Sequence, residues 1–160
     1  MGSASSRKLP TQFVATDGVK EYRATIPHWV NADDVVLELG CEWGTTTVVL
    51  AERAAEVVGT DVSPACIERA RRAHAGIRFE VLDGFDVRAA LDLGRPFTKV
   101  YIDISGLSGY RSLLDTIALL EAYANVLRPE AIVVKSKALK RFAARCHPWR
   151  HGSPTRARQG

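Results

Sequence analysis

The stretch Val35–Thr47 constrains the fold of this 160-residue chain more than any other part of it. A run of apolar residues leads into Glu38 and is followed by a loop that contains Gly40 and Gly44 and by a segment of helical character. Such a strand–loop–helix turn presents backbone N–H groups and the positive end of a helix dipole to a ligand. Because glycine lets the backbone approach a ligand closely, the stretch predicts a binding loop at the end of a buried strand.

Strand and helix patterns alternate after this loop. Apolar runs are separated by segments with helical periodicity and capping signals, so the chain predicts a doubly wound, Rossmann-like α/β fold with a mostly parallel sheet. About five strands are expected, at residues 35–39, 57–62, 77–83, 99–104 and 131–135. The ends of the chain lack such patterns, so we expect a leader at 1–16, one domain at 17–145 and a basic flexible tail at 146–160.

Charge is distributed unevenly along the chain. The formal net charge is +4, yet residues 131–160 hold eight Lys and Arg residues and no acidic residue. A basic segment on an acidic body predicts attraction of the C-terminal segment to a polyanion, most often a nucleic acid such as RNA. A solvated terminus without a partner is the alternative.

Other features of the composition indicate the cellular compartment. No apolar run approaches the roughly 20 residues of a membrane span, and the polar N-terminus has no signal-peptide core. The three cysteines stand at irregular spacing, which is typical of free thiols in a reducing compartment. We therefore expect a cytoplasmic protein without a membrane partner.

Carboxylates recur where the predicted strands end, at Glu38, Asp61, Asp83 and Asp103. In an open parallel sheet, ligands bind beyond the carboxyl ends of the strands at the point where the strand order reverses. Buried strands have little reason to end in acids unless their shared edge is a site. The sequence therefore predicts that these four side chains surround one hollow.

Together these features resemble the class I S-adenosylmethionine (SAM)-dependent methyltransferases, whose first motif is roughly (D/E)-x-G-x-G-x-G. Glu38, Gly40 and Gly44 match the motif, and Glu42 stands where the middle glycine usually lies. A dinucleotide site is the alternative, but the G-x-G-x-x-G spacing is absent, and the two glutamates would repel a pyrophosphate. A cationic sulfonium tolerates these acids. The resemblance implies a transferase that uses SAM as its cofactor.

The resemblance also implies the roles of individual residues. Asp61 would accept hydrogen bonds from the ribose hydroxyls of SAM, and Asp83 with Gly84 or Phe85 would contact the adenine. A metal site is not predicted, because Cys146 and His147 lack a second pair of ligands. The implied cofactor-binding residues are Glu38, Gly40, Cys41, Gly44, Asp61, Val62, Asp83, Gly84, Phe85 and Asp103.

A narrower resemblance concerns the molecule that accepts the methyl group. Asp103 and Lys135 end successive strands, and Lys20 lies twenty residues before Gly40. This pattern resembles the Lys–Asp–Lys set of FtsJ-type ribosomal RNA 2′-O-methyltransferases and, more distantly, fibrillarin. It implies that Asp103 anchors Lys135, that Lys20 completes a catalytic trio, and that an RNA ribose hydroxyl is methylated.

The usual class I sheet ends in an antiparallel pair of strands, for which no pattern follows Lys135. We therefore expect these strands to be missing and a partner protein or a second copy to cover that sheet edge. Fold alone does not fix the substrate. Two alternatives remain open: a small-molecule or protein methyltransferase on the same fold, and a non-catalytic module that binds SAM and nucleic acid.

Overall fold

The computed structural model describes residues 10–149. Within this part of the chain, six parallel strands form one sheet in the order β1-β6-β5-β2-β3-β4. The predicted doubly wound α/β fold is thereby confirmed, with one strand more than the expected five. The strands are β1 (Gln12–Thr16), β2 (Val35–Leu39), β3 (Glu56–Asp61), β4 (Arg78–Val81), β5 (Lys99–Ile102) and β6 (Ala131–Lys135).

Helices connect the strands, as right-handed crossovers between parallel strands require. Ser63 caps one of them: its side chain accepts a hydrogen bond from the Cys66 N–H at the start of a helix that opens with Pro64. A 3-10 turn at Tyr110–Ser112 precedes the longest helix. The helices are α1 (Val19–Ala24), α2 (Ile26–Trp29), α3 (Thr45–Ala51), α4 (Pro64–Ala73), α5 (Val87–Asp92), α6 (Leu113–Val126) and α7 (Lys137–Ala143).

The additional strand, β1, lies in the segment that the sequence assigns to a leader. It pairs in parallel with β6, from Gln12 opposite Ala131 to Thr16 opposite Lys135. Its exposure falls gradually from Gln12 to Thr16 instead of alternating, so the period-two pattern of a strand is missing. As a result, β1 covers the sheet edge beside β6, and β1 itself becomes the edge strand.

The two faces of the sheet carry separate cores. On one face, Leu37 and Leu39 belong to a cluster that includes Leu120 and Tyr123 of α6. On the other face, Val36 of β2 packs in a cluster with residues of α1, α2 and α3. Burial on both faces explains why the strands read as continuous apolar runs.

Acidic side chains at the amino edge of the sheet have a structural role. Lys99, only 4% exposed, places its Nζ 2.8 Å from Asp34 Oδ1 and 2.6 Å from Glu130 Oε2. These ion pairs tie the amino ends of β2, β5 and β6 together. Pairing a buried charge in this way avoids the cost of leaving it alone.

Gly59 provides a test of the packing between β3 and β4. A Cβ at Gly59 would lie 2.7 Å from the Phe79 ring and 2.9 Å from Thr47, so Gly59→Ala overpacks the core. We expect a loss of about 1–3 kcal/mol in the free energy of unfolding, measured by thermal denaturation. The control is Gly18→Ala, where the backbone is extended and no atom lies within 4 Å of the added Cβ. Equal melting temperatures for both variants would contradict this description of the core.

Candidate functional site

The loop after β2 is held against the ends of the two neighbouring strands. The N–H groups of Gly40 and Cys41 both donate to the Thr60 carbonyl of β3, at 2.8 and 2.9 Å. Gly40 has a φ of +82°, and a Cβ there would lie 2.2 Å from the backbone oxygen of Asp103. Only glycine permits both this conformation and this close approach, so Gly40 brings the ends of β2, β3 and β5 together.

The position of the motif's middle glycine keeps a glycine-like conformation although it carries a side chain. Glu42 has a φ of +50°, in the left-handed region that non-glycine residues seldom adopt. Its N–H donates to Asp61 Oδ2 at 3.0 Å, which helps to hold this conformation. The loop then closes through Gly44, whose φ is +82° and which caps α3. Glu42 therefore adopts a conformation that glycine favours, and it adds a carboxylate to the loop.

A cavity of about 520 Å³ opens at the carboxyl end of the sheet. The loops after β2, β3, β4 and β5 and the last residue of β6 contribute to it. The predicted cofactor-binding residues that line it are Gly40, Asp61, Val62, Asp83, Gly84, Phe85 and Asp103. The other lining residues are Glu42, Cys66, Leu82, Ile104, Ser105 and Lys135.

Asp61 is fixed by the backbone on both sides. Its Oδ2 accepts from the Glu42 N–H, and its Oδ1 accepts from the Ser63 N–H at 2.9 Å. Each carboxylate oxygen can accept a further hydrogen bond. Asp61 is therefore positioned to accept hydrogen bonds from a vicinal diol such as the ribose of SAM.

The far end of the cavity combines an acid with apolar side chains. Asp83 Oδ1 accepts from the Phe85 N–H at 3.0 Å, which orients the carboxylate. Val62 and Phe85 are 67% and 51% exposed, and Leu82 is buried beside them. This combination of an acid and apolar side chains suits a flat ring that carries an amino group, such as adenine. The described residues thus fit the adenosine part of SAM.

Glu38 lies behind the loop and does not line the cavity. It is 1% exposed, and Thr47 Oγ1 donates to its Oε2 at 2.6 Å. Burial, with the Asp103 carboxylate as a smaller contribution, raises the pKa of Glu38 to about 8. Near neutral pH this side chain is therefore mostly uncharged. Of the four predicted acids, three meet at the cavity, and the role of Glu38 in cofactor binding stays a prediction.

Cys41 and Gly44 also lie outside the lining. Cys41 is buried, and burial raises the pKa of its thiol far above the ordinary range, which makes it a poor nucleophile. A Cβ at Gly44 would lie 2.8 Å from Phe79 and 2.9 Å from His74, so this glycine seats the loop on its neighbours. Both residues shape the loop from behind, and their direct contact with a cofactor stays a prediction.

Asp103 and Lys135 form an ion pair at the cavity, as the resemblance implies. Their side chains are 19% and 27% exposed, so the pair is accessible yet partly shielded. Lys20 is exposed on α1, and no ion pair or hydrogen bond joins its side chain to any described residue. The structure brings the pair together without Lys20, whose catalytic role stays a prediction.

Tyr22 is a further residue near the pair. Its side chain is fully buried, and its hydroxyl has no hydrogen-bond partner among the described residues. Burial raises the pKa of Tyr22 well above the ordinary value, and the Glu38 and Asp103 carboxylates add to the rise. The sequence pattern marks Tyr22 only as an apolar position of α1. Nothing in that pattern shows that its hydroxyl lies near these acids.

The basic C-terminal segment is partly neutralised by the chain itself. Lys137 lies 3.6 Å from Asp17, and Lys140 pairs with Glu21. Of the predicted tail, residues 150–160 lie outside the described residues. In the part of the chain that is described, no group of three or more His, Cys, Asp or Glu side chains could hold a metal ion. Among the described helices, none combines the length and the apolar character that a membrane span requires.

Comparison with known proteins gives a consistent result. The profile of a family described as "Methyltransferase domain" matches residues 36–130. DesVI of Streptomyces venezuelae is 21% identical over 74% of this chain and 52% of its own, with a TM-score of 0.57. The sugar N-methyltransferase KedS8 of a Streptoalloteichus species is 22% identical over 73% of this chain and 46% of its own, with a TM-score of 0.53.

The chain spans about half the length of these solved structures. Similarity at this level of identity concerns the fold. No curated protein gives a significant match.

The buried acid Glu38 predicts a specific dependence of stability on pH. Its folded pKa of about 8 exceeds the ordinary glutamate value of 4.5, so the folded state binds a proton between these values that the unfolded state lacks. The contribution of Glu38 to the free energy of unfolding should therefore fall as pH rises from 5 to 8, by on the order of 1 kcal/mol per pH unit. Glu38→Gln keeps an oxygen for Thr47 and cannot ionise, so its stability relative to the parent should rise across this range.

Urea denaturation at pH 5, 6.5 and 8 measures this difference. Glu52→Gln is the control, because Glu52 is exposed on the end of α3. Stability curves that stay parallel for parent and Glu38→Gln would show that Glu38 is ionised in the folded protein.

Proposed function

The chain belongs to the methyltransferase domain family, and from that premise we propose that it methylates a ribose hydroxyl of RNA with SAM as methyl donor. Family membership confirms the resemblance to the class I SAM-dependent methyltransferases. The acceptor and the activity of the whole protein are our proposal. The ion pair between Asp103 and Lys135 at the cavity is the observation that supports it most strongly.

The residues that line the cavity would contact different parts of the methyl donor. Asp61 and Asp83 would hold the adenosine, and the Gly40 loop would lie against the remainder of the donor. When bound, SAM supplies a methyl group on a positively charged sulfur, which makes that carbon electrophilic. Because the donor is already activated, the protein's main contribution is to position the acceptor in line with it.

Asp103 and Lys135 are suited to position a hydroxyl. The Lys135 ammonium can donate a hydrogen bond to the acceptor oxygen, while Asp103 keeps the ammonium in place. The Asp103 carboxylate can also accept the hydroxyl hydrogen and relay the proton to water as the oxygen becomes methylated. The pair therefore provides a donor and an acceptor for one hydroxyl group.

The hydrogen-bonding chemistry of Lys135 favours a hydroxyl over an amine. The ammonium can only donate, and a hydroxyl oxygen has two lone pairs, one for Lys135 and one for the methyl group. A neutral amine has a single lone pair and cannot serve both. KedS8, a fold neighbour of this chain, is described as a sugar N-methyltransferase.

The basic segment supports an RNA acceptor. Residues 131–149 contain only basic residues among the charged types, and Arg141 and Arg145 are exposed. No ion pair to described residues involves either arginine. Exposed arginines that follow Lys135 in the chain can neutralise phosphates and so attract RNA independently of its sequence.

A small molecule with a hydroxyl group is the second candidate. It is favoured by the pairing of Lys137 with Asp17 and of Lys140 with Glu21, which removes two cations from the surface that RNA would meet. A protein acceptor or a non-catalytic module has no such observation in its favour.

Incubation with methyl-labelled SAM and separate RNA, protein and metabolite fractions tests the proposal. We expect label in RNA, recovered after nuclease digestion as 2′-O-methylnucleosides. Asp103→Ala and Lys135→Ala should each lower kcat by roughly a hundredfold or more, since each removes one of the two groups that orient the hydroxyl and its proton. Lys137→Ala is the matched control and should keep the parent's kcat.

Two outcomes would contradict the proposal in different ways. Label confined to the metabolite fraction would show that the acceptor is a small molecule, the second candidate, and not RNA. Full activity in both Asp103→Ala and Lys135→Ala would show that the ion pair takes no part in the mechanism.

A further inference from the structure

The segment Ser105–Ser112 runs from the cavity along Lys135. Ser105 lines the cavity three residues after the end of β5. Ser108 Oγ donates to the Lys135 carbonyl oxygen at 3.4 Å, and the Ala138 N–H donates to the Ser108 carbonyl at 3.3 Å. The segment therefore borders the side of the cavity where Lys135 would meet the acceptor.

Hydrogen bonds and one buried side chain fix this segment in place. Leu107 is 3% exposed, and its carbonyl accepts from Ser136 Oγ at 2.7 Å. Ser112 Oγ donates to the Gly106 carbonyl and, at 3.0 Å, to the Gly109 carbonyl. These contacts hold the segment in one conformation, so it forms a wall beside the cavity with a defined outer surface.

The outer surface of this segment carries side chains that are not packed in the core. Tyr110 is 62% exposed and Leu114, four residues later, is 79% exposed. Arg111 is also exposed, and no ion pair joins it to a described residue. An exposed aromatic ring beside an arginine is the combination with which proteins hold single-stranded nucleic acids, since the ring stacks on a base and the cation meets a phosphate.

We propose that Ser105–Ser112 is the acceptor-binding wall and that Tyr110 stacks on a base of single-stranded RNA next to the ribose held at Lys135. Arg111 contacts a phosphate of the same strand. This inference rests on the proposed function, because it names the subsite that presents the ribose. It also restricts the substrate: a base within a duplex is already stacked on its neighbours and leaves no face for Tyr110.

The test measures binding and turnover separately. Fluorescence anisotropy with a labelled single-stranded oligoribonucleotide, at saturating S-adenosylhomocysteine, gives the Kd for parent, Tyr110→Ala and Tyr110→Phe. Loss of one stacked base should raise Kd roughly five- to a hundredfold in Tyr110→Ala, whereas Tyr110→Phe keeps the ring and stays near the parent. With the same oligonucleotide, KM should rise in Tyr110→Ala while kcat changes little.

Phe13→Ala is the matched control, because Phe13 is a 43% exposed aromatic in the amino-terminal half of β1, away from the cavity. It should leave Kd unchanged. Equal Kd values for parent and Tyr110→Ala, a parent that does not bind the oligonucleotide, or a Tyr110→Phe variant as weak as Tyr110→Ala would each overturn the inference.

The outcomes also separate this inference from the proposed function. RNA binding that depends on Tyr110, without any methylation of RNA, would support the wall and refute the proposed reaction. RNA methylation that is unaffected by Tyr110→Ala would support the reaction and refute the wall.

Discussion

The contact between Gly40 and the backbone of Asp103 is the constraint on which the site depends. A side chain at Gly40 would come within 2.2 Å of the Asp103 carbonyl oxygen. Because β2 and β5 pair in parallel, their carboxyl ends share one edge of the sheet, and the absence of a side chain at Gly40 lets the loop after β2 lie directly against the end of β5. The cavity, the orientation of Asp61 through Glu42 and the access to the Asp103–Lys135 pair all follow from that shared edge.

Burial divides the strand-end acids into two kinds. Asp61, Asp83 and Asp103 face the cavity, where each carboxylate keeps lone pairs available for a ligand or a neighbouring cation. Glu38 is enclosed beneath the loop, and its raised pKa shows the cost of ionising a buried carboxyl group. One sequence pattern, an acid where a strand ends, thus covers two different physical roles.

Much of this architecture could be predicted because local signals and the global fold agree. The bounds of β2 and β6 match the predicted runs, since buried parallel strands read as uninterrupted apolar stretches. β1 escaped prediction because the residue types of Gln12–Thr16 do not alternate between apolar and polar, which matches the steady decline in exposure along the strand. Whether Lys20 meets Asp103 depends on how α1 lies beside the sheet, and sequence spacing contains no information about that. The burial of Glu38 likewise depends on its neighbours on α1 and α3.

Binding of S-adenosylhomocysteine, measured by isothermal titration calorimetry, tests the central claim most directly, namely that the acids facing the cavity hold the adenosine of the donor. Asp61→Asn should weaken binding by roughly tenfold or more, because it removes charged hydrogen-bond acceptance at the ribose. Asp92→Asn, which alters an exposed carboxylate paired with Arg88, should bind as the parent does. A parent that does not bind at millimolar ligand, or an Asp61→Asn variant with the parent's Kd, would contradict the account.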